Sequence, residues 1–331
     1  MTVTTGTMTA WMQHGYGPAS ATRLADREIP SPARGEVLLR IRATALNSGD
    51  VRVMRGEPGL VRLVFGLTRP RNPVRGMDVA ATVVAVGEGV TDAAVSDEVV
   101  AELPGGGGLA PFAVAPAARL VARPDEVPPH IAACLPIAGG TAWQAIERAG
   151  IRPGGRMLIL GASGGVGTFA VQLATGRDIE VHVTAGERSR ALLESLGAAQ
   201  VLPRDLPADR LQEDAYDAII DIAGGAPLRA LQRATRPDGT IVLVGGDGTP
   251  LLGPIPRMLR AAALSIGSRR RIRPLAAVPK PDVLRELLTL TADGAIAPVI
   301  EREFPFDQAD TALAHVEAGH TIGKVVVHAA S

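Results

Sequence analysis

The chain has 331 residues, 46% of them hydrophobic and 21% charged, and its 34 Lys and Arg balance 34 Asp and Glu. That length predicts about two globular domains, and the zero net charge removes any bulk attraction for nucleic acid or an anionic membrane surface. The single cysteine, Cys134, excludes an intrachain disulfide framework and a multi-cysteine zinc site. With no basic-then-apolar start over residues 1–10 and no apolar run of about 18 residues, a cytoplasmic protein is expected.

In chain order, residues 36–43 alternate as a half-buried strand after the turn signal Pro30-Ser31-Pro32-Ala33-Arg34-Gly35. Residues 79–86 and 98–102 read as further strands, separated by Gly87-Glu88-Gly89. Crowded Gly and Pro with few helical periods make residues 1–122 a mostly β domain. Near Asp125 the pattern changes, and residues 130–150 carry helical spacing that ends on Gly150. Strands at 156–160, 180–184, 199–202, 216–222 and 240–244 then alternate with helices from about Val166 to 175, at 188–196 and at 227–234. That alternation predicts an α/β fold with a doubly wound parallel sheet over residues 123–267. From 268 to 331 come the basic run Arg269-Arg270-Arg271 with Arg273, read as a solvated face, helices at 282–291 and 308–318, and a strand at 324–328.

The turn Gly161-Ala162-Ser163-Gly164-Gly165-Val166-Gly167 lies between the strand at 156–160 and the next helix. Glycine allows the sharp turn and lets a pyrophosphate approach with no Cβ in the way, and the free amides at the helix start receive the anion. A P-loop is excluded because no Lys-Ser/Thr pair follows Gly167. In this context the turn predicts a dinucleotide site, with Ser163, Gly164, Gly165 and Val166 on the phosphates. Folds that prefer NAD place an acid about 20 residues on, at the end of the second strand. Here that strand ends Thr184-Ala185-Gly186, followed by Glu187, Arg188 and Arg190. A neutral strand end followed by arginine suits a 2′-phosphate, so NADPH is the expected cofactor, while Glu187 keeps NAD open.

The segment Ile159-Leu160-Gly161-Ala162-Ser163-Gly164-Gly165-Val166-Gly167-Thr168 resembles the cofactor turn of the zinc-free quinone oxidoreductase branch of the medium-chain dehydrogenases/reductases. Other pieces follow in the same order: Gln13-His14-Gly15-Tyr16-Gly17, Ala45-Leu46-Asn47-Ser48-Gly49-Asp50 with Arg55-Gly56, Gly76-Met77-Asp78-Val79-Ala80-Ala81, Gly140-Thr141-Ala142-Trp143, and Gly319-His320 with Gly323-Lys324-Val325-Val326. The resemblance runs from about Met8 to the C-terminus. It implies a GroES-like mostly β catalytic domain plus a Rossmann domain, with the tail 268–331 returning to the first. It also implies NADPH-dependent reduction of a quinone or of the C=C bond of an α,β-unsaturated carbonyl compound, and a homodimer. Zinc-dependent relatives need a cysteine near Asn47 and Gly-His-Glu where this chain has Gly76-Met77-Asp78, so no metal is expected.

By the same resemblance, Asn47 faces the nicotinamide ribose and substrate, Thr141 and Lys324 lie near the cofactor, and Val244 and Gly245 offer backbone groups to the carboxamide. Relatives carry Tyr or Lys where Arg52 stands; an arginine suits enolate stabilisation better than proton donation, because it stays charged. Relatives carry a Tyr in the segment after the third strand, which here reads Leu202-Pro203-Arg204; Arg204 is a further candidate for the 2′-phosphate, with an exposed loop arginine as the plain alternative. Asp50 reads as a helix cap, Gly105–Gly108 as a flexible loop, and the segment 60–67 as a pocket wall. Two other readings remain open: a reductase of a biosynthetic intermediate on the same fold, and an NADPH-binding sensor without turnover.

Overall fold

The computed structural model describes residues 6–245 and 251–330. The strands are β1 (Thr7–Met12), β2 (Arg23–Glu28), β3 (Glu36–Leu46), β4 (Asp78–Val86), β5 (Glu98–Glu102), β6 (Phe112–Pro116), β7 (Val121–Ala122), β8 (Arg156–Leu160), β9 (Glu180–Ala185), β10 (Gln200–Pro203), β11 (Tyr216–Asp221), β12 (Thr235–Leu243), β13 (Arg271–Pro274), β14 (Ile300–Phe304) and β15 (Lys324–His328). The helices are α1 (Ser48–Arg55), α2 (Val61–Phe65), α3 (Pro129–Ala132), α4 (Gly140–Ala149), α5 (Gly165–Thr175), α6 (Arg190–Ser195), α7 (Leu228–Ala234), α8 (Ile255–Ser265), α9 (Pro281–Ala292) and α10 (Ala309–Glu317). They form two compact units, one of Met1–Ala138 with Pro279–Ser331 and one of Gly139–Val278.

The first unit is built on the long strand β3. One edge of β3 pairs with β4 throughout, while its other edge pairs β6 over Glu36–Arg40 and β15 over Ala43–Leu46. The last strand of the chain thus completes a sheet begun by residues 36–46. Alternation fills one side with Val37, Leu39, Ile41, Val79, Ala81 and Val83, as the period of two requires. A second apolar cluster joins Trp11, Leu46, Met54, Phe304 and Leu313, and the Trp11 indole N–H donates to the Phe306 carbonyl at 2.7 Å. The residues 105–108, expected to be a flexible loop, are instead packed and hydrogen-bonded. Gly107 and Leu109 donate to the Arg75 carbonyl and Gly108 to that of Gly76. A Cβ on Gly108 would come within 2.4 Å of the Thr44 hydroxyl, so glycine here serves close packing rather than freedom of movement.

The second unit is a six-stranded parallel sheet in the order β10-β9-β8-β11-β12-β13. Met157, Leu158, Ile159, Ile219, Ile220, Ile241 and Val242 are fully buried, which is why these strands read as unbroken apolar runs: helices cover both faces. Strand order reverses between β8 and β11, and beyond their C-terminal ends lies the crevice in which such sheets bind ligands. Two elements differ from expectation. The helix predicted over 130–150 is broken into α3, a π-helical turn Leu135–Gly139 and α4, because Pro136 has no N–H and its ring crowds the carbonyl four residues back. The basic run is partly the edge strand β13; Arg269 pairs with Asp238, and Arg270 pairs with Asp214 and donates to the Thr235 carbonyl at 2.8 Å.

Candidate active site

The glycine turn takes its shape from three separate demands. Gly161 leaves β8 at φ +85°, a conformation that favours glycine, and a Cβ there would stand 3.0 Å from the Ala223 amide nitrogen. Gly167 lies against Ala162 so closely that a Cβ would be 2.5 Å from three of its backbone atoms. Gly164, the N-cap of α5, is the opposite case: a Cβ on it would meet nothing within 4 Å. The turn is therefore tight against the protein at Gly161 and Gly167 and open at Gly164. Ser163 is buried beside it, and Gly165 and Val166 supply the first helical amides, which have no acceptor within the helix. This open, amide-lined mouth fits a pyrophosphate.

One strand over, register brings a cationic group beside the turn after β9. β10 pairs with β9 so that Leu202 faces Thr184 and Pro203 faces Ala185. The next residue, Arg204, therefore reaches Gly186, its guanidinium 3.9 Å from where a Gly186 Cβ would be. Arg204 is exposed, as a surface arginine would be, yet it stands at the strand end where a 2′-phosphate belongs. Arg188 is exposed on the short 3-10 turn Glu187–Ser189. Glu187, the acid that kept NAD open, is bonded by Arg190 at 3.1 and 3.2 Å, and Arg190 also donates to the Val201 carbonyl. Farther along the sheet edge, the amides of Val244 and Gly245 both donate to the Asp221 carbonyl, leaving carbonyl oxygens as what they offer a ligand. Asp221 is buried, receives the Gly224 amide at 2.8 Å and pairs with Arg257 at 2.7 Å, a partner 36 residues on that spacing did not suggest. Thr141 is half-buried in the first turn of α4, which packs on α5, β11 and β12.

In the first unit, Asn47 and Lys324 meet although 277 residues separate them. The Asn47 backbone N–H donates to Asp50 Oδ2 at 2.9 Å, half of a reciprocal capping box at the start of α1. Asn47 Oδ1 accepts from Lys324 Nζ at 2.5 Å and its Nδ2 donates to Asp78 Oδ2 at 2.9 Å. Lys324 Nζ also lies 3.3 Å from the Leu46 carbonyl and 3.6 Å from Asp78. Asp78 has no exposed surface, and its two oxygens take the Ile137 N–H at 3.3 Å. Burial pushes its carboxyl up to about 7, against the opposing pull of Lys324. Asp50 is equally buried; its other oxygen accepts the Gly76 amide, and burial raises its pKa as well. Register makes this cluster. Asp78 opens β4 opposite Ala45 of β3, and β15 delivers Lys324 to the other edge of β3. Arg52 lies on the exposed side of α1 and is not among the partners of Asn47, Lys324 or Asp78. Sequence reasoning treated Asp78 only as part of a motif; no periodicity marks a contact between strands so far apart.

The two tyrosines are occupied elsewhere, Tyr16 with the Gly66 carbonyl beneath the Arg62 guanidinium and Tyr216 beside His182. Cys134 is buried, its thiol pushed up to about 12 by burial, as befits a small core residue rather than a nucleophile. Among the described residues, no group of three His, Cys, Asp or Glu side chains is placed to hold a metal ion, and no helix is long and apolar enough to cross a membrane.

Comparison with known proteins gives a consistent set of likenesses. An alcohol dehydrogenase GroES-like domain matches residues 33–125, and a zinc-binding dehydrogenase domain matches residues 196–327. The chain is 35% identical, over 97% of its own length and 98% of the relative's, to the chloroplast envelope quinone oxidoreductase homolog of Arabidopsis thaliana. It is 30% identical, over 97% of its length and 79% of the relative's, to the chloroplastic NADPH-dependent alkenal/one oxidoreductase of the same plant. The solved structure of the quinone oxidoreductase from Coxiella burnetii matches with a TM-score of 0.86 at 27% identity, covering 98% of this chain and 99% of that one.

Proposed function

Since the chain belongs to the quinone oxidoreductase-like medium-chain dehydrogenases/reductases, a family of oxidoreductases that use a nicotinamide cofactor on small molecules, we propose that it is a zinc-independent, NADPH-dependent reductase of quinones or of the C=C bond of α,β-unsaturated carbonyl compounds. The observation that carries the cofactor choice is Arg204 standing over Gly186 while Glu187 is engaged by Arg190. A ribose 2′-hydroxyl needs a free acid there; a 2′-phosphate needs a guanidinium.

Ser163, Gly164, Gly165 and Val166 hold the pyrophosphate, Thr184 and Gly186 border the adenosine ribose, and Arg188 and Arg204 take the 2′-phosphate. Val244 and Gly245 meet the carboxamide by their carbonyls, with Thr141 and Asn47 toward the nicotinamide end. The reduced nicotinamide, when bound, supplies the hydride. The chain's own work is orientation and charge. Lys324 and Asp78 fix both ends of the Asn47 amide, so its oxygen and nitrogen cannot exchange places. Arg52 is the cation for the enolate oxygen, and a homodimer is the assembly in this reading.

Steady-state NADPH oxidation against a panel of quinones, enones and aldehydes tests the reaction. Turnover is expected on quinone or enone members; tight NADPH binding with no turnover on any of them would sink the reductase reading in favour of a sensor. Cofactor choice has its own test. Arg204→Ala and Arg188→Ala are each expected to weaken NADPH about tenfold, about 1.4 kcal/mol for a lost hydrogen bond to a charged group, and to leave NADH within twofold. Equal losses for both dinucleotides would remove the arginines from the 2′-phosphate.

A further inference from the structure

The first unit contains a cavity of about 420 Å³, lined on its apolar side by Val53, Val64, Phe65 and Met77. Arg75 forms part of its wall and is only 1% exposed. One nitrogen of that guanidinium, Nη2, donates to the Asn72 carbonyl. The other two, Nε and Nη1, have no hydrogen-bond acceptor in the protein. Asp50 acts on Arg75 through space, but both its oxygens are already taken by the backbone amides of Asn47 and Gly76. Burial draws the Arg75 pKa down to about 10, which leaves it charged at neutral pH.

A buried cation with unsatisfied donors is costly, and the cost is recovered when an anion supplies the acceptors. Glu102, on the same wall, is offset through space by Arg119, and Arg71 adds a further positive charge. The cavity thus joins an apolar side to one deeply buried, underused cation. We propose that it binds a small carboxylate with an apolar chain, the carboxylate on Arg75 and the chain against Val53, Val64, Phe65 and Met77. A phosphate dianion suits it less, because Glu102 shares the wall and repels the second charge more strongly. A neutral carbonyl would satisfy a donor without neutralising the guanidinium. Val64 and Phe65 belong to the segment 60–67 expected to wall the substrate pocket, so the inference deepens the reductase reading by naming a ligand class, and binding measured without NADPH is read separately from turnover.

Calorimetric titration of the full-length protein with hexanoate, hexan-1-ol and 2-hexanone, at pH 8 and fixed ionic strength, tests this. Hexanoate is expected to bind at least tenfold more tightly than either neutral compound. Arg75→Gln is expected to remove that preference and leave hexan-1-ol unchanged. Since Arg75 also tethers the Asn72 loop, a variant that spares it gives the second arm: Glu102→Gln removes the opposing acid and is expected to tighten hexanoate severalfold, without effect on hexan-1-ol. Equal binding of hexanoate and hexan-1-ol overturns the proposal, as does a failure of hexanoate to bind or an unchanged hexanoate affinity in Glu102→Gln.

Discussion

Lys324→Met is expected to cost the unit that holds it about 1.4 kcal/mol more at pH 8 than at pH 5. The argument rests on Asp78. That carboxyl is fully buried, and Lys324 Nζ at 3.6 Å is the cation facing it. Methionine fills the space of the lysine stem but leaves the carboxylate with only the Asn47 and Ile137 N–H groups. The pH dependence follows from the direction of the shift. Burial raises the folded pKa of Asp78 from 3.8 to about 7, so between those values the folded chain holds a proton that the unfolded chain has released. Stability contributed by this group therefore falls as pH rises from about 4 to about 7 and is level above that. Without Lys324 the folded pKa climbs further, and the fall continues beyond 7. At pH 5 both forms hold Asp78 neutral, so the lysine is missed little. Urea unfolding followed by Trp11 fluorescence in a Trp143→Phe background reports on this unit alone, since those are the two tryptophans and Trp143 belongs to the other. A loss of the same size at pH 5 and pH 8 would show that Lys324 acts by packing rather than by answering Asp78.

That cluster marks where the sequence becomes hard to read. Strand β8, Arg156–Leu160, and strand β15, Lys324–His328, lie where the residue pattern predicts them, because buried strands are short apolar runs with abrupt ends. Strand β13 has one fully buried residue, Ile272, among arginines, and its place at the sheet edge leaves no pattern to detect. The break at Pro136 has a local cause, a proline inside a helical run, whereas the packing of Gly106 to Gly108 is a tertiary fact, set by which backbone passes close by. The candidate site divides in the same way. The glycine turn is local, so spacing alone found it. Arg204 was visible as a residue, but its position over Gly186 depends on the β9–β10 register. Arg75 carried no signal at all, since an arginine among prolines and glycines reads as loop surface, and it is one of the most buried side chains in the protein.

The turn itself yields the second large effect, through two substitutions that separate folding from binding. Gly167→Ala is expected to destabilise the parallel-sheet unit by about 3 kcal/mol and to weaken NADPH at least tenfold. A Cβ there would sit 2.5 Å from the Ala162 Cα, C and O atoms, and backbone that is itself part of the turn has nowhere to move. The helix would have to withdraw from β8, carrying the Gly165 and Val166 amides out of position. Gly164→Ala meets no such resistance, since nothing lies within 4 Å of the added Cβ. Its φ of −78° is open to any residue, so the stability cost is that of a poorer helix cap, about 1 kcal/mol or less. The added methyl occupies the mouth that the pyrophosphate must enter, and NADPH affinity is expected to fall at least tenfold with Tm little changed. Thermal unfolding and NADPH fluorescence titration of the two variants decide the matter together. A Gly164→Ala protein that binds NADPH like the wild type would mean the cradle lies elsewhere. A Gly167→Ala protein of unchanged Tm would mean that the helix start yields easily, and that the tightness of the turn is not what aims its amides.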